Sequence, residues 1–358
     1  MKQTGIEEFV ALSRVYPVFD VRSPGEYRHA HIPGAYSLPL FSDDERKVVG
    51  TLYKQLGRED AIKTGLDYFG GRMRKMVEEV EGILKSISTQ NKYTASTENK
   101  EHSKTVLVHC WRGGMRSAGV AWLLDLYGFK VYVLTGGYKA YRTWVLEQFA
   151  KPYPIKIVGG FTGSGKTDIL KLMAKEQHAI IDLEGIAHHK GSAFGALGET
   201  DAPGQEQFEN VLAVELHKVS AALLPEQSIW IEDESRRIGL VNQPDRLWET
   251  MRNAPLYFLD IPFEERLDYI TAEYGVFKRE ELVNSVLRIQ KRLGGMNTKN
   301  AIGYLIEGNT KECFRILLAY YDKFYKKDLD ERKAKNVPIN IIDCDGVDAS
   351  SNYKKLQN

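Results

Sequence analysis

Cysteine is scarce in this chain, with three in 358 residues. So few thiols exclude a disulfide framework and fit a reducing compartment. An excess of one charge is missing too: 49 basic residues against 48 acidic ones leave a formal net charge of +1. No global field therefore draws the chain to nucleic acid, although a local basic patch stays open. No apolar run approaches the ~18–20 residues that span a bilayer. The first residues, Met1-Lys-Gln-Thr-Gly-Ile-Glu-Glu, lack the apolar core of a signal peptide. No repeat of solenoid or propeller period is evident. These absences lead us to expect a cytoplasmic protein with no membrane partner. What is present is an ordinary globular composition, 43% hydrophobic and 27% charged, long enough for two domains at roughly 100–200 residues each.

The first part alternates short strands with helices. Val15-Tyr-Pro-Val-Phe-Asp20-Val21 is a compact apolar run ending in turn residues, and Thr105 to His109 and Lys130 to Leu134 are further strands. Between those two, Val120, Leu123, Leu124 and Tyr127 recur at helical spacing, and Gly128 stops the helix. Strand, loop, helix, strand implies a parallel sheet. An insertion at about 41–104 interrupts this part. Met73, Met76, Val77, Val80, Leu84 and Ile87 predict one amphipathic helix within it, and polar Ser88 to Lys104 reads as an exposed loop. A second part restarts at Ile155, with strands expected at Ala179 to Asp182, Ser228 to Ile231, Leu256 to Asp260 and Ile339 to Ile342. The expected domains are 1–145 and 146–358. Trp144 to Tyr153 forms the link, because Lys151-Pro-Tyr-Pro154 breaks any helix begun before it.

Cys110 opens the run Cys-Trp-Arg-Gly-Gly-Met-Arg116-Ser117, directly after a buried strand and before a helix. There the helix dipole and converging N–H groups stabilise a thiolate, and such surroundings lower a thiol from ~8.5 to roughly 3.5–7.5. Arg112 and Arg116 add charge, while Gly113 and Gly114 let the backbone turn its N–H groups inward. A structural Cys is the usual fate of an isolated one, but these flanking residues point to a catalytic nucleophile.

Asp20-Val-Arg22-Ser-Pro-Gly-Glu26-Tyr27, His31-Ile-Pro-Gly-Ala35, the Cys110 loop and Leu134-Thr-Gly-Gly137 together resemble the signatures of rhodanese domains. The resemblance implies a cysteine that carries a transferable chalcogen, in a loop that cradles an anionic donor. Arg116 stands six residues after Cys110, one more than in common single-domain rhodaneses. That Cys-x5-Arg spacing is shared with rhodanese-like phosphatases, which keeps a phosphatase as the rival reading. Asp20 and Arg22 are candidates for direct catalysis or, equally, for a local ion pair at the strand end.

Gly160-Phe-Thr-Gly163-Ser-Gly165-Lys166-Thr167 matches the full G-x-x-x-x-G-K-[ST] phosphate loop, in the strand-to-helix setting that such a loop requires. Its N–H groups would cradle phosphates, with Lys166 as added charge and Thr167 available to Mg²⁺. Glu232 or Asp233, at the end of an apolar strand, could hold a metal-bound water. No Asn-Lys-x-Asp guanine signature follows in the second part. Arg292, before Gly294-Gly295, suits a mobile lid or an ordinary helix end. His188, His189 and Lys190 read as a loop contacting RNA or an anion, since adjacent histidines do not share a helix face. Arg236 and Arg237 suit phosphate. Tyr320, Tyr321, Phe324 and Tyr325 among lysines read as core, with RNA stacking the lesser alternative.

A rhodanese-like parallel-sheet domain followed by a P-loop NTPase-like one, both α/β, resembles the bacterial tRNA 2-selenouridine synthase family. The resemblance rests on the two loops, on Asp182-Leu-Glu-Gly-Ile-Ala-His-His-Lys-Gly-Ser192 and on Glu232-Asp-Glu-Ser-Arg-Arg-Ile-Gly239. It implies replacement of sulfur by selenium at C2 of wobble 2-thiouridine in tRNA, with selenophosphate as donor, after geranylation of that sulfur from geranyl diphosphate. Cys110 would attack the donor's selenium and hold it as a selenylsulfide while phosphate departs. The P-loop would grip the diphosphate of the geranyl donor, with ATP as the alternative. Tightly bound cofactors are not expected; tRNA is the expected partner, together with the enzyme that makes selenophosphate. A phosphatase or kinase-like enzyme and a non-catalytic sulfur or RNA carrier stand as the competing classes.

Overall fold

The computed structural model describes residues 1–89 and 104–357. The chain divides into two compact units, Met1–Glu147 and Gln148–Asn358. In the first, five parallel strands lie in the order Lys2–Thr4, Lys130–Leu134, Thr105–His109, Val18–Asp20, Tyr36–Ser37. Thr105–His109 is central and buried along its whole length, as β-branched residues covered on both faces should be. The two edge strands are too short to carry an apolar alternation, and the sequence pattern missed them.

The insertion holds three helices rather than one: Asp43–Gln55, Arg58–Gly70 and Met73–Thr89. Asp43–Gln55 buries no residue, so it carries no apolar stripe to read. It starts instead on a Ser42–Glu45 capping box. Phe69, Met76, Val77 and Val80 join Val106, Val108 and Val120 in one core. The polar loop expected from Ser88 lies, from residue 90 to 103, outside the described residues, while Ser88 and Thr89 complete a helix. The expected link also begins inside a helix, Gly137–Gln148, because Trp144 and Val145 are buried and anchor it.

The second unit has five parallel strands in the order Ile339–Asp343, Leu256–Asp260, Ile155–Gly160, Ile229–Glu232, Ile180–Ile181. A small antiparallel pair, Arg237–Ile238 with Val241–Asn242, stands apart. Helices Phe263–Tyr274, Arg279–Arg288, Gly295–Ile306 and Thr310–Ala334 build a helical subcore around Leu267, Val286, Leu305 and Phe314. In both units the motif loop follows the carboxyl end of a central parallel strand, where the next helix turns its free N–H groups outward. No helix among the described residues is long and apolar enough to cross a membrane.

Candidate active sites

Strand Thr105–His109 delivers buried Cys110 to a loop that returns as helix Met115–Tyr127. Ser117 Oγ lies 3.2 Å from Cys110 Sγ and 3.1 Å from the Gly114 carbonyl oxygen. The second glycine signature shapes this loop. Gly137, at φ +59°, packs so closely that a Cβ would lie 2.4 Å from both the Cys110 carbonyl oxygen and Gly113 N. Tyr138 N then donates to the Cys110 carbonyl at 2.8 Å and Lys139 N to that of Trp111 at 2.9 Å.

Arg116 Nη1 donates to Glu26 Oε2 at 2.8 Å. Burial alone would raise the Glu26 carboxyl, but the hydrogen bond and charge of Arg116 outweigh it and bring it down to about 2. Glu26 therefore aims the loop arginine, a role that sequence reading did not assign it. In the sequence it stood only within the Asp20–Tyr27 signature and in the capping box Ser23–Glu26 of helix Pro24–His29. Arg112 stands exposed on the same loop.

Asp20 and Arg22 are both fully buried and paired through Nε at 3.0 Å and Nη2 at 2.6 Å. Arg22 also donates to the Ala30 carbonyl at 2.7 Å and lies 3.7 Å from the centroid of the Tyr138 ring. Burial opposes ionisation of Asp20, yet His109 and Arg22 outweigh it and hold the carboxyl below its ordinary value. Of the two roles open in the sequence, this geometry supports the ion pair, which braces Tyr138 and through it the Cys110 loop.

In the second unit Gly160, Gly163 and Gly165 have φ of +154°, +81° and +68°, conformations that glycine adopts at little cost. Lys166 Nζ donates to the Gly160 carbonyl at 3.3 Å and lies 5.4 Å from the Tyr325 ring centroid. Burial works against its charge, but the Tyr325 hydroxyl and the carboxyls of Glu234, Glu184 and Asp233 outweigh it and keep the ammonium protonated. Ser164 Oγ borders the cleft, buried and without a hydrogen-bond partner. Arg266 ties the loop to the helices, donating to the Thr162 carbonyl at 3.1 Å and to both Asp322 oxygens.

Thr167 Oγ1 donates to Glu184 Oε2 at 2.7 Å, and Glu184 is hydrogen-bonded in turn to Glu234. Burial, above all, raises both carboxyls. The cleft beside them has two characters. Lys166, Thr167 and Lys171 face it from the phosphate loop and the helix that follows, and Lys190 stands over the Tyr274 ring at 5.7 Å, while Phe194, Ile270, Phe314, Leu317 and Leu318 supply an apolar wall, with Tyr321 and Tyr325 between.

The remaining expected residues divide sharply. Lys190 lines the cleft, its Nζ 2.7 Å from Glu273 Oε1. Tyr321 and Tyr325 line it too, while Phe324 is exposed. Glu232 is buried and accepts from Glu184 N at 2.8 Å, and burial pushes its carboxyl well up. Asp233 is locked in a buried pair with Arg332. Neither borders the cleft; Glu184 and Glu234 do, and they correct the expected acids. Alternation along the extended chain explains Asp233, which turns toward Arg332, opposite to Glu234, while Glu232 is taken up by the Glu184 N–H. Arg292 is exposed on the short helix Gln290–Leu293 and outside the cleft lining, its charge felt at Tyr321. His188 is tied to the Asp201 carbonyl and Thr200, and His189 packs against Gly195 and Gly239. Arg236 pairs with Asp245, and Arg237 donates to the Gly239 carbonyl at 3.1 Å. None of these four lines the cleft.

Hydroxyl and carboxylate oxygens at Thr167, Glu184 and Glu234 suit a hard cation such as Mg²⁺, which would neutralise a bound diphosphate. Among the described residues, no group of three or more His, Cys, Asp or Glu forms a metal site by itself. Substrate oxygens would have to complete the coordination.

Residues 153–341 match the family model of the tRNA 2-selenouridine synthase AAA domain, and residues 6–143 match the rhodanese-like domain. The chain belongs to the tRNA 2-selenouridine synthase family. A member from Pseudomonas syringae pv. tomato is 37% identical over 353 residues, 89% of this chain and 90% of that one. Another, from Pseudomonas savastanoi pv. phaseolicola, is 33% identical over 353 residues, with 89% and 90% covered. A third, from Bdellovibrio bacteriovorus, is 32% identical over 358 residues, covering 88% and 89%. Family membership thus spans both loops in one chain.

Proposed function

We propose that this protein replaces the sulfur of wobble 2-thiouridine in tRNA by selenium from selenophosphate, through an S-geranyl intermediate made in the P-loop cleft. The observation that carries this reading is the dual character of that cleft. Lys166 and the loop N–H groups suit a diphosphate, and the wall of Phe194, Ile270, Phe314, Leu317 and Leu318 suits an apolar tail. A nucleoside triphosphate would need polar partners for its base and ribose, for which that wall is the wrong chemistry. ATP is therefore the weaker occupant.

In the first step the uridine sulfur attacks C1 of the geranyl group, the C1–O bond breaks, diphosphate leaves and the N3 proton is lost. The alkylated sulfur then becomes a leaving group, and selenium at C2 displaces geranyl thiol. The Cys110 loop, with Arg116 held by Glu26, suits the tetrahedral donor. The electron count separates two routes there. Attack of the Cys110 thiolate on selenium, giving a selenylsulfide, expels phosphorus as phosphite, and once that selenium has displaced geranyl thiol from C2 a thiol reductant must cleave the S–Se bond to free Cys110. Release of phosphate instead requires selenium to leave at the selenide level, for C2 of the activated uridine.

The test is nucleoside mass spectrometry of 2-thiouridine tRNA incubated with the protein, geranyl diphosphate and selenophosphate, with ³¹P spectra of the spent donor. Appearance of S-geranyl-2-thiouridine and then 2-selenouridine supports the reading, and the phosphorus product identifies the route. Phosphate release from an aryl phosphate, lost in Cys110→Ser, with no nucleoside change would establish the phosphatase instead.

A further inference from the structure

Resting on the reading that geranyl diphosphate occupies this cleft, we propose that Phe314, with Phe194 and Tyr274, forms a floor that sets the length of the prenyl group accepted. Helix Thr310–Ala334 runs along the cleft as a ruler. Tyr325, Tyr321, Leu318, Leu317 and Phe314 all line it, at spacings that fall on one helix face. Tyr325 marks the phosphate end, since its ring centroid is 5.4 Å from Lys166 Nζ. Phe314 lies eleven positions earlier in the helix, roughly 16 Å away along the axis at about 1.5 Å per residue. That is about the reach of a diphosphate bearing two extended isoprene units; a third would run past it.

The floor is closed. The Phe314 ring centroid lies 5.3 Å from that of Phe194 and 6.1 Å from that of Tyr274, and Phe194 and Tyr274 stand 5.8 Å apart. Phe194 and Phe314 are almost fully buried and belong to the same packed core as Leu305, Val286 and Cys313. A tail reaching this triad meets rings backed by core, and close-packed interiors do not open for extra carbons without displacing side chains. A tail shorter by one isoprene leaves apolar wall unfilled and forgoes its burial. The cleft therefore selects geranyl from both sides.

The experiment supplies the full-length protein with 2-thiouridine tRNA and an equimolar mixture of dimethylallyl, geranyl and farnesyl diphosphates, and counts the S-prenyl nucleosides by mass spectrometry. Wild type should yield mainly the geranyl product. Phe314→Ala should raise the farnesyl-to-geranyl ratio by about tenfold or more, and Phe194→Ala should move it in the same direction. Leu318→Phe, which keeps the floor and narrows the cleft, should shift the balance toward dimethylallyl. Circular dichroism and melting curves show which variants remain folded. Unchanged ratios in the folded variants overturn the ruler while leaving geranyl transfer in place. Failure of wild type to transfer any of the three groups overturns the occupant, and the ruler with it.

Discussion

The two loops both favour anions but use their carboxyls in opposite ways. Around Cys110 the acids are ionised and spent on arginines, Glu26 on Arg116 and Asp20 on Arg22. Around Lys166 the acids Glu184, Glu232 and Glu234 are pushed toward their protonated forms, chiefly by burial. The first arrangement fixes a guanidinium in place before any ligand arrives. The second sets carboxyls whose ionisation burial opposes beside a lysine whose charge they favour. The contrast suits a site that handles a single anionic group and one that admits a polyanion.

The largest effect that would break this comparison is expected for Cys110→Ser. It should lower 2-selenouridine formation on the order of a thousandfold or more, while S-geranyl-2-thiouridine accumulates in the nucleoside digest. Equal loss of both products would show that the loops do not divide the chemistry. Lys166→Ala should reduce geranyl transfer by about a hundredfold and spare selenium insertion into tRNA supplied already geranylated; full geranyl transfer would remove the P-loop from that step.

Glu26→Gln keeps the shape but weakens the hold on Arg116. We expect about a tenfold rise in the KM for selenophosphate, with geranyl transfer unchanged. A change confined to kcat would argue that Glu26 does not act by aiming Arg116. The smallest effect concerns pH, read by hydrogen exchange corrected for intrinsic rates. Glu26 lies below its ordinary 4.5, so its stabilisation holds above that value and is lost as pH falls toward about 2. Glu184, Glu232 and Glu234 lie above theirs, so their contribution is full below the ordinary value and is lost as pH rises through the raised values. Acidification should therefore loosen helix Pro24–His29 and tighten strand Ile229–Glu232. Loosening of both would break the contrast.

Much of this protein was determined by sequence alone, because the relevant physics is local. The Cys110 loop and the Gly160–Thr167 loop are contiguous, and glycine freedom, strand apolarity and helix stops act over a few residues. The same locality made the central strands and helix Met115–Tyr127 legible. What tertiary structure decided lies in pairs distant along the chain. Glu26 and Arg116 are 90 positions apart, Asp233 and Arg332 are 99 apart, and Arg266 reaches Thr162 across 104. No local pattern reveals that Asp233 turns to a buried arginine while Glu234 faces the cleft. Nor does it reveal that Lys190 enters the cleft and its neighbour His189 does not. Folding brings these side chains into register only through burial and the packing of helices remote in sequence, so the sequence named the two loops and the tertiary structure chose their surroundings.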